Sequence, residues 1–498
     1  MDTSSDPTRK YCWECLRRRL ECDSTRPVCN KCRQAGVVCP GYEDKKPLRW
    51  LAPGRVTSRN RKPKTAAAKN KKKEQETSVI DVQAQIAAIF ERALRMSAEL
   101  YSGSLIPVIH LRDDVSEAIQ SACYFNIRIY PSMIPLGHLG ACPYINPIPL
   151  ETMRLMSTPT RRTFVCLAIG HYLHQTRPPK SERVELWYRF HTEKGLSIRG
   201  ISEDVALTQT RESPGLDMTI YSIMFLMLID LSYGSPCNWR IHFLAAMEAL
   251  ACRGGMKRVY ERNVAMQLTL KYFIILGVLA SSTSPPEDFL VTDPEMAFVE
   301  KVYGKGDYPT LICPPHLFMI IHQINRLRHQ TTLPLELHEP DSPSAQDLLS
   351  RIHTFDPNAW ADLYPDSHPH LFLLGRIYQS AVALYCISAL RNLFPTGSLY
   401  NLLKLRATHA DSLFVLLREA IISPKTNLCL MWPLTVAGVE AATRSLSDRL
   451  FVEEALDQIS RGLGAGYPMM ACSAMHKLWD SGKTEWDDCY DKPYAFLS

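Results

Sequence analysis

The chain has 498 residues, of which 46% are hydrophobic and 22% are charged. This balance is typical of a globular protein and excludes a disordered or fibrous one. Because hydrophobic cores stop growing near roughly 250–300 residues, we expect more than one domain. The polar N-terminus has no secretory signal, and the longest apolar stretch, residues 218–229, is too short to cross a membrane. We therefore expect reduced cysteines, no membrane partner and a buried core helix at 218–229.

The net charge of +6 is unevenly distributed along the chain. Residues 1–77 hold 20 Lys or Arg against 9 Asp or Glu, whereas residues 78–498 hold 37 against 42. A basic N-terminal segment on a mildly acidic remainder predicts that only the segment contacts a polyanion, such as double-stranded DNA.

Six of the 16 cysteines lie close together near the N-terminus. Their spacing follows the pattern C-x2-C-x6-C twice, with six residues between the two copies. Zinc in structural sites takes four tetrahedral ligands, usually thiolates. Two ions need eight ligand positions, but only six sulfurs are present, so two thiolates must bridge the ions. Because the two halves have the same spacing, the bridging pair is predicted to be the first cysteine of each half, Cys12 and Cys29. We predict two Zn²⁺ per chain, held by Cys12, Cys15, Cys22, Cys29, Cys32 and Cys39.

Other interpretations of this pattern are less favourable. A disulfide knot or surplus buried thiols would not require a duplicated spacing, and we expect a reducing compartment. A ring-type interaction module needs eight ligands, yet no histidine occurs within residues 1–109. A catalytic zinc ion keeps an open position, whereas thiolates fill every position here.

The segment CWECLRRRLECDSTRPVCNKCRQAGVVCPGY, residues 12–42, resembles the Zn(2)-Cys(6) binuclear cluster of fungal transcription factors. The resemblance implies that the first cysteine of each half bridges the two ions. It also implies a short helix after each cysteine pair, the first of which enters the DNA major groove at a CGG triplet. The family's basic pair falls on Arg18 and Arg19, and its loop proline on Pro27. Leu16 and Glu21 depart from the commonest pattern, which has basic residues there, and Glu21 is expected to weaken binding.

The basic residues of this segment predict the DNA contacts. An arginine can bond guanine O6 and N7 together, so Arg17, Arg18 and Arg19 are predicted to read bases. Lys31 and Arg33 are predicted to bond phosphates and set the register. The alternative is a solvated basic face that only offsets the cluster, because six thiolates and two Zn²⁺ carry a net charge of −2.

Residues 43–77 have almost no aliphatic side chains apart from alanine and predict a flexible basic linker. Two basic runs within it suit nuclear import and would also attract phosphates, so we predict a nuclear protein. The residues of these runs are Arg59, Arg61, Lys62, Lys64, Lys69, Lys71, Lys72 and Lys73.

Residues 79–100 repeat apolar side chains at alternating spacings of three and four, as in a coiled coil that would pair two copies into a homodimer. The flanking positions offer no complementary charge pairs, and extra apolar residues widen the stripe. We therefore favour the first helix of a large domain over a dimer zipper.

Residues 78–498 are predicted to form a large all-α domain in two packed halves, because helical periodicity recurs and alternating β patterns are scarce. Loops rich in Pro, Ser and Thr, such as 281–286 and 338–344, separate the helices. The predicted helices include 159–176, 181–198, 215–233, 239–253, 266–281, 316–329, 370–393, 398–422 and 433–446.

Three short stretches in this region, residues 239–242, 253–255 and 431–440, resemble the second class of fungal-specific transcription factor regulatory domain. That resemblance implies a helical regulatory region. The stretch PGYEDKKPLRWLAPGRV, residues 40–56, is similar to the acriflavine sensitivity control subgroup.

Other candidate sites are weaker. His171 and His174, or His368 and His370, lack the carboxylate of a zinc hydrolase motif. The sequence has no phosphate-binding Gly-rich loop and no nucleophile elbow, so we predict that the protein is not an enzyme. The acidic and aromatic residues at 480–494 could form an activation patch, although docking into the domain is favoured.

Together these features predict a nuclear, sequence-specific RNA polymerase II transcription factor. Its partners would be DNA and the transcription machinery. One alternative is a regulator whose helical domain senses a small molecule, and another is a zinc module for protein interaction without DNA specificity.

Overall fold

The computed structural model describes residues 11–42, 113–139, 146–207, 215–233, 238–291, 313–334, 336 and 343–496. The predicted linker and the predicted helix at 79–100 lie outside these residues. In the described part every regular element is a helix, which confirms the all-α class. The chain divides into two compact units, a small one within residues 1–76 and a large one within residues 77–498.

The small unit contains helices α1 (Trp13–Arg18) and α2 (Asn30–Gln34). The described helices of the large unit are α3 (Asp114–Tyr124), α4 (Tyr130–Gly137), α5 (Thr152–Leu155), α6 (Thr158–Thr176), α7 (Lys180–Leu207), α8 (Gly215–Tyr233), α9 (Asn238–Cys252), α10 (Met256–Arg262), α11 (Val264–Ser282), α12 (Pro315–Gln330), α13 (Ala345–Thr354), α14 (Pro357–Ala361), α15 (His368–Ala389), α16 (Leu399–Ala420), α17 (Met431–Glu440), α18 (Leu446–Leu463), α19 (Tyr467–Ser481) and α20 (Trp486–Cys489).

Two long apolar helices, α8 and α15, form part of the core of the large unit. By length and composition alone both could cross a membrane, but 67% of the apolar window of α8 and 78% of that of α15 are buried. The prediction of a buried core helix at 218–229 is confirmed. The predicted bounds of α8 agree with the structure, and α9 ends just before Gly254 and Gly255, whose φ angles are 89° and 91°.

The prediction of one helix at 433–446 is wrong. Helix α17 ends at Glu440, and a 3-10 turn, Ala441–Thr443, separates it from α18. The Ser445 hydroxyl accepts a hydrogen bond from the backbone N–H of Asp448 and caps the new helix. The predicted set also lacks helices α3, α4, α5, α10, α13, α14, α18, α19 and α20.

The largest apolar cluster of the large unit runs from Leu139 to Phe496, and two smaller clusters lie among helices α3, α5, α6, α7 and α8. The division of this domain into two packed halves stays a prediction. Trp432 is fully buried in the largest cluster, stacked on Tyr378 and in edge contact with Tyr385. Residues 281–286, predicted as a loop between helices, begin inside α11, and Ser281–Ser284 are buried. The indole N–H of Trp432 donates to the Ser282 hydroxyl at 2.9 Å.

Residues 485–496, here called the C-terminal strap, are built into this core. Trp486, Tyr490 and Phe496 are almost completely buried. The Trp486 indole N–H donates to the Ser282 carbonyl oxygen at 2.8 Å, and the Trp239 indole N–H donates to the Pro493 carbonyl oxygen at 2.7 Å. These contacts confirm that the acidic and aromatic segment at 480–494 docks into the domain.

A buried arginine also holds the C-terminal strap. The guanidinium of Arg328, 2% exposed, donates from Nε to the Asp487 carboxylate at 2.8 Å. Its remaining nitrogens donate to the carbonyl oxygens of Ser281 at 3.1 Å and Ser284 at 2.7 Å. The strap thus supplies the carboxylate partner of a charge that is otherwise shielded from water.

We expect Trp486→Ala to lower the free energy of unfolding of the large unit by about 3–5 kcal/mol, because it removes a buried aromatic side chain. Denaturant unfolding followed by circular dichroism measures the change. Tyr400→Ala is the control, because the Tyr400 side chain is 79% exposed. Equal effects of the two substitutions would show that the strap does not stabilise the core.

Candidate metal centre and nucleic-acid interface

The two helices of the small unit begin in the same way. Cys12 and Cys29 are their N-caps, with φ and ψ of −66° and 151° in one and −69° and 148° in the other. Each thiol sulfur accepts a hydrogen bond from the backbone N–H three residues later, at 3.4 Å for Cys15 and 3.3 Å for Cys32. Cysteine thus fills a position where Ser, Asp or Asn is usual.

The repeat of the backbone continues past the helices. The backbone N–H of Leu20 donates to the Cys15 carbonyl oxygen at 3.0 Å, and that of Val37 to the Cys32 carbonyl oxygen at 3.1 Å. Arg19 ends the first helix in the left-handed region, with φ of 56°, where the second repeat has Gly36 with φ of 63°. Since a non-glycine residue is uncommon in this region, Arg19 occupies a position that favours glycine.

The six cysteines come together as predicted, with five buried and Cys39 half-buried. The Sγ of Cys12 lies 3.7 Å from that of Cys29 and 3.8 Å from that of Cys32, and the Sγ atoms of Cys15 and Cys29 are 3.7 Å apart. A disulfide requires about 2.05 Å. By contrast, two thiolates bound to one tetrahedral zinc at about 2.3 Å lie about 3.8 Å apart. The donor atoms therefore fit zinc, and each of the three distances includes Cys12 or Cys29.

The loop between the repeats is fixed by polar contacts. The Asp23 carboxylate accepts from the Asn30 backbone N–H at 3.1 Å, at the start of α2. The Tyr42 hydroxyl donates to the Thr25 carbonyl oxygen at 2.8 Å and so closes the end of the module over this loop. Burial opposes ionisation of Cys22, but backbone N–H groups hold its pKa at about 7, which favours the thiolate that a metal requires.

The predicted DNA-binding residues are all exposed, but they differ in their contacts. The Arg17 side chain is 61% exposed and donates from Nε to the Glu14 carboxylate at 2.9 Å. Arg18 and Arg19 lie at the C-terminal end of α1, where the equivalent residues of α2 are Ala35 and Gly36. The adjacent arginine pair therefore belongs to one half of the pseudo-symmetric module.

The Glu14–Arg17 pair is a feature that our sequence analysis missed. The two residues are three apart on a helix, a spacing at which opposite charges meet. Lys31 and Arg33 lie on α2, and the predicted import residues at 59–73 are outside the described residues.

Two of the four candidate histidines have polar partners, and the ring of His174 stacks on that of Tyr233. The His171 Nδ1 lies 2.9 Å from the Tyr124 hydroxyl, and the His368 Nε2 lies 3.1 Å from the Asp362 carboxylate. Residues that include Asp230, Trp239 and Phe496 line a gap too narrow to admit a water molecule.

Comparison with known proteins agrees with both units. Residues 10–49 match the family model described as "Fungal Zn(2)-Cys(6) binuclear cluster domain", and residues 123–497 match "Fungal specific transcription factor domain". The "Phomenoic acid biosynthesis cluster-specific transcriptional regulator" of Leptosphaeria maculans is 29% identical over 507 residues, which cover 98% of this chain and 89% of that protein. No solved structure matches the chain.

These matches confirm the resemblance of the small unit to the zinc cluster and of the large unit to the regulatory domain. Two zinc ions are the cofactor that the small unit's family carries, and six convergent thiols supply its ligands. The families and the relative are regulators of transcription. The chain belongs to the fungal transcription factors that join a Zn(2)-Cys(6) binuclear cluster to a fungal specific transcription factor domain, and it is a DNA-binding regulator of transcription.

Proposed function

We propose that the small unit reads CGG-type half-sites in the DNA major groove through Arg18 and Arg19. The large unit regulates transcription by RNA polymerase II through the transcription machinery and has no enzymatic activity. The observation that carries the proposal is the difference between the two repeats, since Ala35 and Gly36 stand where α1 has two exposed arginines. If these arginines only neutralised the negative charge of the zinc–thiolate cluster, they would not need to be concentrated at the C-terminal end of one helix.

In this proposal Cys12 and Cys29 bridge the two ions. Both sulfurs cap a helix from its N-terminal end, where the helix dipole favours an anion. Cys15 and Cys22 complete one tetrahedron, and Cys32 and Cys39 complete the other. The distance of 3.7 Å between the Cys12 and Cys29 sulfurs suits two ligands shared by both ions.

The other basic residues act on the backbone of DNA. Arg17 is held by Glu14, so it is less free to reach a base edge and is assigned to phosphate contact. Lys31 and Arg33, exposed on α2, also contact phosphates and fix the register of α1 in the groove. Such contacts raise affinity for every DNA sequence alike and are screened by salt.

The biological role extends this assignment. The relative from Leptosphaeria maculans is named as the cluster-specific regulator of a biosynthesis pathway, and its match spans 98% of this chain. We therefore propose that this chain controls genes of a biosynthetic cluster. Deletion of its gene should reduce or raise transcripts of a contiguous set of genes, and a scattered response would contradict this role.

The bridging assignment predicts unequal losses of zinc. Cys29→Ser keeps an oxygen acceptor at the N-cap of α2 but removes a ligand of both ions, so the binding of both zinc ions should be weakened. Cys39→Ser removes a ligand of one ion and should retain more zinc. Metal analysis of the two purified variants decides, and equal losses would contradict the assignment.

The DNA-reading assignment predicts a loss of specificity from Arg19→Gly. Glycine suits the left-handed backbone at this position, so the module should fold and the loss should report the missing guanidinium. We expect the variant to lose about 1–3 kcal/mol of binding free energy on a CGG-containing duplex and to lose its preference over random DNA. Titration of both duplexes at two salt concentrations measures this.

Arg33→Ala is the matched control, because it removes the same charge from α2. It should weaken binding to both duplexes together and reduce the salt slope by about one unit. Glu21→Lys should tighten binding to both and leave the preferred triplet unchanged. If Arg19→Gly kept the wild-type ratio of specific to random binding, the arginine pair would be only a charge-neutralising face.

We also propose that the basic runs at Arg59–Lys64 and Lys69–Lys73 carry the protein into the nucleus. Replacing their Lys and Arg residues by Gln should move a fluorescent fusion toward the cytoplasm. Microscopy of the fusion in fungal cells measures the ratio of nuclear to cytoplasmic signal. Unchanged nuclear accumulation would assign these runs to DNA affinity alone.

A further inference from the structure

Helix α7 carries an apolar stripe on its outer face. The inner face of the helix packs against α6 and α8, and Phe190, Ser197 and Ile201 are buried there. The outer face presents four large apolar side chains that are between 39% and 76% exposed, namely Val184, Tyr188, Ile198 and Val205. Apolar side chains that line up along one exposed helix face are typical of a surface that another segment covers.

This α7 stripe has the spacing of a coiled-coil seam. Its seven positions, all exposed and at alternating spacings of four and three, are residues 184, 188, 191, 195, 198, 202 and 205. Gly195 lies at the middle of the stripe, and a side chain added there would meet open space. The stripe thus has a central notch that a large side chain of another helix can fill.

Residues 79–100 carry the matching pattern. Their seam positions, at alternating spacings of three and four, are residues 79, 82, 86, 89, 93, 96 and 100. The two seams are equally long, and in an antiparallel arrangement their spacings agree layer by layer. Ile89 then lies opposite Gly195, and Ala93 lies opposite His191. Each of these layers pairs a large side chain with a small one.

The described chain resumes beside α7. Glu117, in the first turn of α3, lies 3.1 Å from the guanidinium of Arg189 on α7. The 13 steps from residue 100 to residue 113 can span up to about 43–47 Å. The 28 residues of α7 extend about 42 Å. The connection is therefore long enough for residue 100 to reach either end of α7.

We propose that residues 79–100 dock antiparallel on the α7 stripe. The occupant is a segment of the same chain, because its seam matches the stripe and because the chain that follows it is bonded to Arg189. A seam covered by α7 cannot also pair with a second copy as a zipper. This segment therefore completes the packing of the large unit and does not bring two zinc modules together.

Limited tryptic digestion of the zinc-loaded full chain tests the docking, because Arg92 and Arg95 lie inside the segment. We expect slow cleavage at both residues in the wild type. In Gly195→Glu cleavage should be about tenfold faster, because proteolysis of a docked segment follows the population of its open state. Glutamate fits the open space at Gly195 and favours a helix more than glycine does, so this variant keeps α7 folded.

Gly397→Glu and Val415→Glu are the matched controls. Gly397 is an exposed glycine with the same open surroundings, and Val415 is an exposed apolar residue on α16. Both variants should leave the rate of cleavage at Arg92 and Arg95 as in the wild type. Equal rates in the wild type and in Gly195→Glu would overturn the proposal.

A photo-crosslinking residue in place of Tyr188 identifies the occupant directly. Benzoylphenylalanine at this position should crosslink to residues around Met96 of the same chain. Mass spectrometry of a mixture of light and isotope-labelled protein separates crosslinks within one chain from those between copies. Crosslinks only to a second copy, or to no residue within 79–100, would also overturn the proposal.

Discussion

Metal–thiolate bonding takes the place of a hydrophobic core in the small unit. Its buried side chains are the cysteines themselves, with Val28 and Tyr42 packed against them. Without metal, burial disfavours ionisation of Cys12, Cys15 and Cys32 and raises their pKa values. Structural zinc supplies an apparent folding free energy of about 10–16 kcal/mol. The position of the exposed arginines on α1 therefore depends on the ions, because within residues 11–42 the buried cluster that joins the two helices consists of the metal-binding cysteines and the few side chains packed against them.

The large unit is stabilised in a different way, by an apolar core that contains a few fully bonded polar groups. Ser282 is the clearest case, since its hydroxyl and its carbonyl oxygen each accept from a different tryptophan. Glu440 is similar, because the Arg406 guanidinium and the Ser388 hydroxyl both bond its buried carboxylate. A buried polar group without a partner lowers the stability of the fold. These hydrogen bonds therefore determine the arrangement of the helices as well as the stability of their packing. The packing of the helices around Ser282 and Glu440 is consequently fixed by polar contacts as well as by apolar area.

The cluster could be predicted from sequence because its information is local. Six cysteines within 28 residues indicate how many ligands the metal site has, and their repeated spacing indicates that the site is built from two similar halves. Helix α8 could be predicted because it is apolar all round. The end of α17 could have been found from the Ser445 cap, and the start of α13 from Ser344 and Asp347, which form a capping box. In contrast, the bonds from Ser282 to Trp432 and Trp486 join residues 150 and 204 positions apart, and no local pattern encodes them.

The C-terminal strap has a consequence for synthesis of the protein. Trp239 bonds a carbonyl oxygen 254 residues later in the chain, and the partner of Arg328 also arrives late. During translation the helices from α3 to α19 are synthesised before the strap, so the bonds that the strap makes to Trp239 and Arg328 can form only after all of these helices exist. The core of the large unit therefore cannot be completed in the order in which the chain is made.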